Sequence, residues 1–443
     1  MKKYTLENVS PNKKSFQTEK MKVPAILFSH ERDFSKSDVL EALEKIAQQD
    51  EIFHHIAILS EAHTRPEIKN PTGSVVTSEN ILPEMFDAAP NCGMRIILTD
   101  IMEEEMTQEK LNNLLQNIQK NILSKELIGT KISSSMVCKI FQEGARGLFS
   151  DFPIKTKNEI ENTLFQGNFF QKKIASITEI SKAIPKIIFY LAKYRIGLLG
   201  EKKSHFIKLM RVSSIENKEI AEKLGIRNNQ YLFFMHTGSS IIGRYTASLY
   251  TQRKITKISQ KIILSIIKII SGFSLQKKSI QDMDIALRAV SNYGFANRTL
   301  LTCEIHKALE KIFARTVSTE LLYDAPHVYF EEESHFGKKV IVHRNGANRA
   351  FGPSKMTHHA VFSQTGEPVL IAPFANKIAY VGVGTDQNEE TFFSANHEIG
   401  KIKELQISEE KSLEYAEKIV SEMGRNQIIK LVAKLETIKI LDY

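Results

Sequence analysis

The stretch Lys339-Val-Ile-Val-His343 opens the C-terminal third of the chain and is typical of a buried strand. Two further apolar runs of the same kind follow it, Pro368-Val-Leu-Ile-Ala372 and Ile378-Ala-Tyr-Val-Gly-Val383. The strands of a doubly wound parallel sheet alternate regularly with helices, and the sequence lacks that alternation. The chain is therefore predicted to have an α+β fold with mixed sheets.

Strands and helices are predicted along the rest of the chain in a similarly mixed order. Short apolar runs predict strands over residues 56–59, 73–77, 94–98, 205–210 and 231–236. Helical spacing of apolar residues predicts helices over residues 38–46, 103–122 and 409–423. No internal repeat or linker rich in Pro, Gly or Ser divides these elements, so we expect one domain over residues 23–443. The polar, lysine-rich residues 1–22 are expected to form a loose arm.

Residues 252–272 are rich in isoleucine and lysine and predict one more helix. Isoleucines recur at helical spacing on one face, and the lysines fall mostly off it. The isoleucines are Ile255, Ile258, Ile262, Ile266 and Ile269, and the lysines are Lys254, Lys257, Lys261 and Lys268. We expect a surface helix whose isoleucine stripe faces the core. The alternative is a helix that faces nucleic acid or a membrane.

Composition excludes several classes of protein. The 443 residues are 42% hydrophobic and 25% charged, which is typical of globular domains and not of disordered chains. Three scattered cysteines indicate a reducing compartment. The first residues lack the apolar run of a signal peptide, and the most apolar stretch, residues 262–270, is too short to span a bilayer. We therefore expect a cytoplasmic protein without a membrane partner. The net charge of +9 permits a nucleic-acid partner without requiring one.

One cysteine and several histidines lie at the ends of the predicted strands. Rigid strands position such residues well, and a thiolate with imidazoles is a donor set that suits Zn, Fe or Co better than Mg or Ca. Each histidine taken alone is more simply explained as a core or surface residue, because no Cys-x-x-Cys or His-Glu-x-x-His spacing is present. Together they predict a metal-dependent enzyme with a histidine-rich centre. The candidates are Cys92, His63, His205, His236, His327 and His397.

Four segments resemble motifs of the RtcB family of RNA-splicing ligases. Asn91-Cys-Gly-Met-Arg95 is similar to the family's D-I-G-C-G-M, and Met235-His-Thr-Gly-Ser-Ser-Ile-Ile-Gly243 is similar to its L-H-S-G-S-R-G-x-G. Asn292-Tyr-Gly-Phe-Ala-Asn-Arg298 matches its N-Y-A-x-A-N-R helix. Val342-His-Arg-Asn-Gly-Ala-Asn-Arg-Ala-Phe351 resembles its V-H-R-K-G-A-T-x-A-F. The segments follow the family's order, so the chain is identified as a divergent member.

The resemblance implies a single large domain with mixed sheets around a central His-rich metal cleft. It also implies an RNA ligase that joins 3′-phosphate or 2′,3′-cyclic phosphate ends to 5′-hydroxyl ends in tRNA splicing and RNA repair. Such an enzyme uses GTP and Mn²⁺ and passes through a covalent histidine–nucleotide intermediate. The partners implied are RNA with broken ends and the nucleotide, and a monomer is expected.

The resemblance also assigns roles to residues of this chain. His397 is the implied nucleophile. Cys92, His205 and His236 are implied ligands of one metal, and His327 is an implied ligand of a second metal that Cys92 would bridge. Glu333 lies six residues after His327, as the family's pattern requires. The implied nucleotide-binding residues are Ser204, Lys208 and Lys401, and the implied RNA-binding residues are Arg298, Arg344 and Arg349.

The chain departs from the family pattern at several of these positions. Ala89 stands where the family has a metal-binding Asp, and Ser204 and Lys208 replace an Asn and a Glu that contact the nucleotide. Val328 replaces the Asn after the second-metal histidine. The pattern thus implies one largely intact metal site, a weakened second site and a rewritten nucleotide pocket.

Two alternatives to a ligase follow from these departures. One is a metal-dependent phosphoesterase that opens cyclic phosphates at the centre of Cys92, His205 and His236 without joining ends. The other is a non-catalytic RNA-binding descendant of the family.

Overall fold

The computed structural model describes residues 4–29, 34, 38–65, 68–85, 89–122, 132–200, 205–251, 255, 257–375, 377–400, 408 and 411–441. The helices in chain order are α1 (Asp38–Ile46), α2 (Gln108–Ile122), α3 (Ser134–Glu143), α4 (Ile177–Ala183), α5 (Lys186–Arg195), α6 (Lys218–Lys223), α7 (Ser240–Tyr250), α8 (Ile258–Ser271), α9 (Ile280–Ile312), α10 (Phe362–Thr365) and α11 (Ser412–Arg425).

The strands alternate irregularly with these helices, as the α+β prediction requires, and the predicted fold class is confirmed. In chain order they are β1 (Glu7–Ser10), β2 (Lys13–Phe16), β3 (Ala25–Leu27), β4 (Ile52–Arg65), β5 (Ile68–Ser78), β6 (Gly93–Met102), β7 (Phe206–Ile215), β8 (Gln230–Thr237), β9 (Thr319–Pro326), β10 (Val328–His335), β11 (Lys338–Asn345), β12 (Ala347–Arg349), β13 (Pro368–Phe374), β14 (Ile378–Gly384), β15 (Ser394–Asn396) and β16 (Ile429–Leu441).

The chain forms two compact units, each assembled from separate segments. The first unit consists of Met1–Asp87, Ser213–Leu224 and His327–Thr437. The second unit consists of Ala88–Val212, Gly225–Pro326 and Ile438–Tyr443. Neither unit is a continuous stretch of chain, and the single domain over residues 23–443 stays a prediction.

The first unit is built on a seven-stranded sheet with the order β1-β2-β3-β4-β5-β11-β10. Successive residues of β4 point to opposite faces, and both faces are buried. Ile56 and Ile58 pack with α1 on one side, and Ala57 and Leu59 pack on the other side with residues of β13, β14 and α11. A continuous apolar run in β4 therefore reflects burial on both faces.

Residues predicted as a loose arm form part of this sheet, which corrects that prediction for the described residues. Strands β1 and β2 form an antiparallel hairpin, and β2 pairs with β3. The rings of Tyr4 and Phe16 meet edge to face at 5.1 Å, and both residues are buried. The composition of the segment is polar, but these two aromatic side chains bury enough apolar surface to hold it on the sheet.

The second unit contains an antiparallel set of strands in the order β7-β8-β6-β9. Its core joins these strands to helices α2 and α9, with Ile97, Leu209, Phe233, Leu301 and Ile305 fully buried. Helix α9 is 33 residues long and begins with a capping box between Ser279 and Asp282. Helix α9 therefore shares one core with three of the four strands, β6, β7 and β8.

Two predicted helices differ from the observed ones. Helix α2 begins at Gln108 and not at residue 103, because Glu103–Glu105 forms a separate 3₁₀ turn. The prediction that the isoleucine stripe of residues 252–272 faces the core is wrong for α8. Its core-facing residues are Leu264 and Ile267, and four isoleucines of the predicted stripe are exposed: Ile258, Ile262, Ile266 and Ile269. In the part of the chain that the structure describes, no helix has the length and apolarity needed to cross a bilayer.

The packing of β2 predicts that its aromatic residue contributes to stability. Replacing the buried Phe16 with alanine should lower the free energy of unfolding by about 3 kcal/mol, because a large apolar side chain leaves the core. Urea denaturation measures this value. The matched change in the same hairpin, Val9→Ala, should cost less than about 0.5 kcal/mol because Val9 is exposed. Equal, small effects of both changes would show that the segment is loose after all.

Candidate active site

Three residues predicted as metal ligands lie at one edge of the strands of the second unit. Strand β6 begins at Gly93 and β7 begins at Phe206, so Cys92 and His205 come directly before them. His236 is the penultimate residue of β8. Because β8 runs antiparallel to both neighbours, its end lies beside their starts, with Met94 and Phe206 both paired to His236. The antiparallel register therefore brings the three side chains together.

The distances between these donors fit binding to a metal ion. The Sγ atom of Cys92 lies 3.5 Å from Nε2 of His205 and 3.5 Å from Nε2 of His236. Sulfur and nitrogen donors on one tetrahedral ion are about 3.6 Å apart at the usual bond lengths. Cys92 and His236 also belong to a Cys/His group whose ligand atoms are close enough to hold an ion. A thiolate and imidazoles are donors for a transition-metal ion.

A glycine permits the close approach of the loop before Cys92 and the loop after His236. A Cβ atom on Gly238 would lie 1.8 Å from the carbonyl oxygen of Asn91 and 2.8 Å from Cα of Cys92. Any side chain at position 238 would therefore push the two loops apart. Asn91 has a φ of 53°, a left-handed conformation that asparagine tolerates better than most residues.

A second candidate centre, in the first unit, contains His397 directly after β15. Its Nδ1 atom and its backbone N–H both lie 3.1 Å from Oε1 of Glu61, on the central strand β4. The ring of His327 lies against the ring of His397, with 4.4 Å between their centroids. His397 is nearly fully buried. The hydrogen bond at Nδ1 favours the tautomer whose Nε2 lone pair is available as a nucleophile.

Charged neighbours set the pKa values of this centre. Burial alone lowers the pKa of His397, but the carboxylates of Glu398 and Glu61 outweigh burial and raise this pKa above 6.5. Burial raises the pKa of Glu61, and the hydrogen bond to His397 opposes that shift. Arg65, exposed at the end of β4, acts on the pKa of His397 in the opposite direction from the carboxylates. The centre thus combines the imidazole of His397, oriented by its hydrogen bond to Glu61, with a second carboxylate at Glu398 and an exposed cation at Arg65.

Comparison with known proteins identifies the family of the chain. A family model described as tRNA-splicing ligase RtcB matches residues 42–438. The chain belongs to the RtcB family. This finding confirms the family that the motifs predicted, and the low identities below are consistent with a divergent member.

Archaeal tRNA-splicing ligases of the RtcB family are similar to most of the chain. The Methanococcus maripaludis protein is 28% identical over 335 residues, which are 70% of this chain and 65% of that protein. The Pyrococcus furiosus protein is 27% identical over 85% of this chain and 37% of that protein. The Thermococcus kodakarensis protein is 25% identical over 86% of this chain and 80% of that protein. The chain therefore spans less than two thirds of the length of the first two relatives.

The RtcB motif at residues 342–351 connects the two histidines of the first unit. The backbone N–H groups of Gly346 and Ala347 donate to the carbonyl oxygen of His327 at 2.7 and 3.0 Å. Ala347 also pairs with Asn396, the residue before His397. A Cβ atom on Gly346 would lie 2.3 Å from Thr72 Cγ2 and 3.1 Å from the ring of His397, and its φ is 70°. The motif therefore requires glycine at this position to fit between β5 and His397.

The RtcB motif at residues 292–298 lies within α9 and holds the two loops that carry the candidate metal ligands Cys92 and His236. Arg298 is fully buried, and it donates to the carbonyl oxygen of Thr237 at 2.9 Å and to Oδ1 of Asn91 at 2.8 Å. Its Nε atom donates to Asp324 at 2.8 Å. Asn297 in turn donates to the carbonyl oxygen of Gly238 at 3.2 Å. Burial favours a structural role for Arg298 over the RNA contact that we predicted.

The other two predicted RNA-binding arginines also form ion pairs within the protein. Arg344 makes two hydrogen bonds to Glu333, at 2.5 and 3.0 Å, and is buried. Burial alone raises the pKa of Glu333, but the charges of Arg344 and His335 hold it at about 2. Arg349 binds Glu367 through Nε and Nη2 at 2.8 to 3.0 Å. These partners again favour structural roles over direct contact with RNA.

The predicted nucleotide-binding residues are only partly described. Ser204 and Lys401 lie outside the described residues. Lys208 is buried on β7, with its Nζ atom 4.7 Å from the centre of the Phe206 ring. Phe206 in turn lies 5.4 Å from the ring of His236. The ring of Phe206 therefore lies close to both Lys208 and a candidate metal ligand.

Sequence reasoning missed Glu61, the hydrogen-bond partner of His397. The signal was present, because Glu61 is the only charged residue in the run Ile56-Ala-Ile-Leu-Ser-Glu-Ala62, which is otherwise apolar apart from Ser60. A carboxylate in a strand that is buried on both faces requires a partner. The sequence gives no indication that this partner is 336 residues away.

The burial of Arg298 predicts its effect on stability and on metal binding. Arg298→Gln should lower the free energy of unfolding by about 3 to 5 kcal/mol, because it breaks a buried ion-paired network. It should also reduce the metal retained after dialysis against Mn²⁺, since the loops of Cys92 and His236 lose their shared donor. Thermal denaturation and elemental analysis measure these effects.

A second arginine of the same helix is the matched control for this change. Arg288 pairs with Asp284 one turn away, donates to the carbonyl oxygen of Phe169 at 2.9 Å and remains partly exposed, so Arg288→Gln should cost less than Arg298→Gln, about 1 to 2 kcal/mol. It should leave the retained metal unchanged. Normal stability and metal content in Arg298→Gln, together with weakened RNA binding, would instead support the RNA-binding role.

Proposed function

We propose that the chain is an RNA ligase that joins 3′-phosphate or 2′,3′-cyclic phosphate ends to 5′-hydroxyl ends. The observation that carries the proposal is the buried pair of His397 and Glu61, since it favours a free Nε2 lone pair. Membership of the RtcB family supports the same chemistry. RNA with broken ends and GTP are the proposed substrates, with tRNA splicing and RNA repair as the proposed settings.

The proposed reaction passes through a covalent histidine–nucleotide intermediate. The Nε2 atom of His397 attacks the α-phosphorus of GTP, forming a P–N bond while pyrophosphate leaves. Where the RNA ends in a 2′,3′-cyclic phosphate, water attacks its phosphorus and breaks the bond to O2′, which leaves a 3′-phosphate and a 2′-hydroxyl. An oxygen of the RNA 3′-phosphate then attacks the phosphorus bound to His397, which breaks the P–N bond and frees His397. The 5′-hydroxyl finally attacks the activated 3′-phosphate, and GMP leaves with the bonding electrons. Covalent catalysis of this kind replaces one difficult step with easier ones.

The chain's own residues provide positioning and charge for these steps. Glu61 accepts the hydrogen bond from Nδ1 of His397 and stabilises the positive charge that develops on the ring when Nε2 forms its bond. Arg65, at the end of β4, supplies a cation for the phosphates of the nucleotide.

We propose Mn²⁺ as the metal cofactor, held by Cys92, His205 and His236, with His327 as a ligand of a weaker second ion. The Cys/His donor set fits a transition-metal ion and does not suit Mg²⁺ or Ca²⁺. A bound ion would neutralise phosphate charge during the reaction. Sulfur is a softer ligand than Mn²⁺ generally prefers, so metal exchange with Zn²⁺ and Co²⁺ should accompany any measurement with Mn²⁺.

A phosphoesterase is the second candidate because the centre of Cys92, His205 and His236 belongs to a single unit. Cys92 and His205 come directly before β6 and β7, and His236 lies near the end of β8, so one set of strands positions all three. Such an enzyme would open 2′,3′-cyclic phosphates with water and would not form a nucleotide adduct. Its activity would survive His397→Ala and would be lost in Cys92→Ala.

The first test of the ligase is the covalent adduct. Incubation with α-labelled GTP and Mn²⁺ should give a labelled protein that resists denaturation, and His397→Ala should remove the label because Nε2 is the nucleophile. The control His358→Ala should label normally, since His358 is exposed. Labelling that persists in His397→Ala would contradict the proposal. Absence of both label and bound metal would favour the non-catalytic RNA-binding descendant.

The second test is the pH dependence of adduct formation. Only the neutral imidazole is a nucleophile, and its pKa is raised above 6.5, so the adduct rate should rise as pH increases through that pKa. Glu61→Gln removes one of the carboxylates that raise the pKa, and the profile should therefore move to lower pH. The plateau rate should also fall, because the charge that develops on the ring loses its partner.

A change at Glu398 separates the shift of the pH profile from the fall of the plateau rate. Glu398→Gln should move the pH profile in the same direction, since Glu398 also raises the pKa of His397. It should retain more of the plateau rate, because Nδ1 keeps its hydrogen bond to Glu61. Stopped-time labelling across pH measures the rates, and NMR titration of the histidine measures the pKa. A profile unchanged in both variants would refute the assigned roles.

A further inference from the structure

Helix α8 points an apolar stripe away from the protein. The exposed fractions of its isoleucines are 74% at Ile258, 54% at Ile262, 44% at Ile266 and 80% at Ile269. On the opposite face, Leu264 and Ile267 are buried. With 3.6 residues per turn, the four exposed side chains align along one side of the helix. A contiguous exposed apolar patch of this kind marks an interaction surface.

Positive charge lies along one flank of the isoleucine stripe. Lys257, Lys261 and Lys268 are exposed and fall on the same side of the helix, because their spacings of four and seven residues correspond to whole turns. In the sequence, residues 252–281 contain seven Lys and Arg and no Asp or Glu. A partner that matches this surface needs an apolar region to face the isoleucines and, next to it, negative charge to face the lysines.

We propose that α8 binds the surface of an anionic lipid bilayer, in contrast to the absence of a membrane partner that composition led us to expect. The helix would lie in the plane of the membrane, with the isoleucine stripe in the boundary between headgroups and acyl chains. The lysine flank would lie at the level of the lipid phosphates. A basic amphipathic helix with a wide apolar face is the form that binds such interfaces. The 14 residues of α8 span about 21 Å, so the helix rests on a bilayer and does not cross it.

The composition of α8 favours lipid over a protein partner. Protein interfaces are anchored by Trp, Tyr, Arg and Met and are depleted in Lys. Ile258–Ser271 contains none of those anchors and consists of aliphatic side chains with Lys, Ser and Gln. A fluid bilayer needs no directional anchor, so isoleucine and lysine suffice.

Two other occupants fit the surface less well. A second copy of the chain would bring one cationic flank towards another. RNA would match the lysines but would leave the isoleucine stripe in water. The lipid surface matches both the stripe and the flank.

The attachment of α8 keeps the stripe facing outward. The helix ends at Gly272 in a left-handed conformation, and the backbone N–H of Phe273 donates to the carbonyl oxygen of Lys268 at 3.1 Å. The ring of Phe273 then packs edge to face on Tyr250 of α7 at 5.4 Å. This C-terminal anchor, together with the buried Leu264 and Ile267, fixes the rotation of the helix about its axis.

Vesicle flotation with the full chain tests the proposal independently of any ligase activity. The protein should float with phosphatidylcholine vesicles that contain about one quarter phosphatidylglycerol, and far less with phosphatidylcholine alone. Ile262→Ser with Ile269→Ser should weaken binding by about tenfold or more, because less apolar surface enters the interface. Lys261→Gln with Lys268→Gln should weaken binding to the anionic vesicles by on the order of 25-fold.

The controls use exposed apolar residues outside α8. Ile174→Ser with Leu413→Ser should bind anionic vesicles as the unmodified chain does, since these residues are similarly exposed elsewhere. Thermal denaturation should show that all variants remain folded. Binding that is absent from both vesicle types would overturn the proposal, as would equal binding to neutral and anionic vesicles. A dimer or an RNA complex that the α8 variants abolish, without any vesicle binding, would assign the surface to that partner instead.

Discussion

A buried network of two arginines and two carboxylates holds the edge of the second unit where the candidate metal ligands lie. Arg95 on β6 binds Asp324 on β9 at 2.7 Å and Glu159 at 2.8 Å, and Arg298 on α9 binds the other oxygen of Asp324. Four charges in an apolar environment are tolerable only when each is paired. Asp324 therefore ties a helix to two strands at the edge where Cys92 and His236 are presented, and small shifts of these elements would leave a buried charge without its partner.

In the first unit a single buried carboxylate must likewise be paired. Glu61 lies on a strand that is buried on both faces, and its bonds to the backbone and ring of His397 provide the pairing that burial demands. The cost of burying Glu61 is thus offset by the group that it orients. Because the nearby Gly346 leaves room only for hydrogen, the ring of His397 is restricted by packing as well as by charge. Electrostatics and sterics select the same orientation.

The sequence predicts what depends on local pattern and fails where distant partners decide. Apolar runs locate the strand ends and so place Cys92, His205 and His236 among six candidates. The family resemblance singles out these three as one group, and the Sγ atom of Cys92 lies 3.5 Å from each of the two imidazoles. The roles of the arginines were not predictable, because a guanidinium looks the same in sequence whether Asp324 or a phosphate binds it. The prediction that the isoleucine stripe of α8 faces the core was wrong for a related reason. Periodicity identifies an apolar face but does not show which way that face points.

The way the site is positioned explains how its chemistry can diverge without loss of the fold. Cys92, His236 and His397 are placed by antiparallel register, by the glycines at 238 and 346, and by buried ion pairs, all of which act on the backbone. Residues whose side chains would contact only a nucleotide do not hold the backbone in place in this way. A lysine at position 208 is compatible with the fold, because Phe206 lies against its ammonium group and β7 keeps its pairing with β8. Substitution at such a position can therefore leave the candidate metal ligands in place.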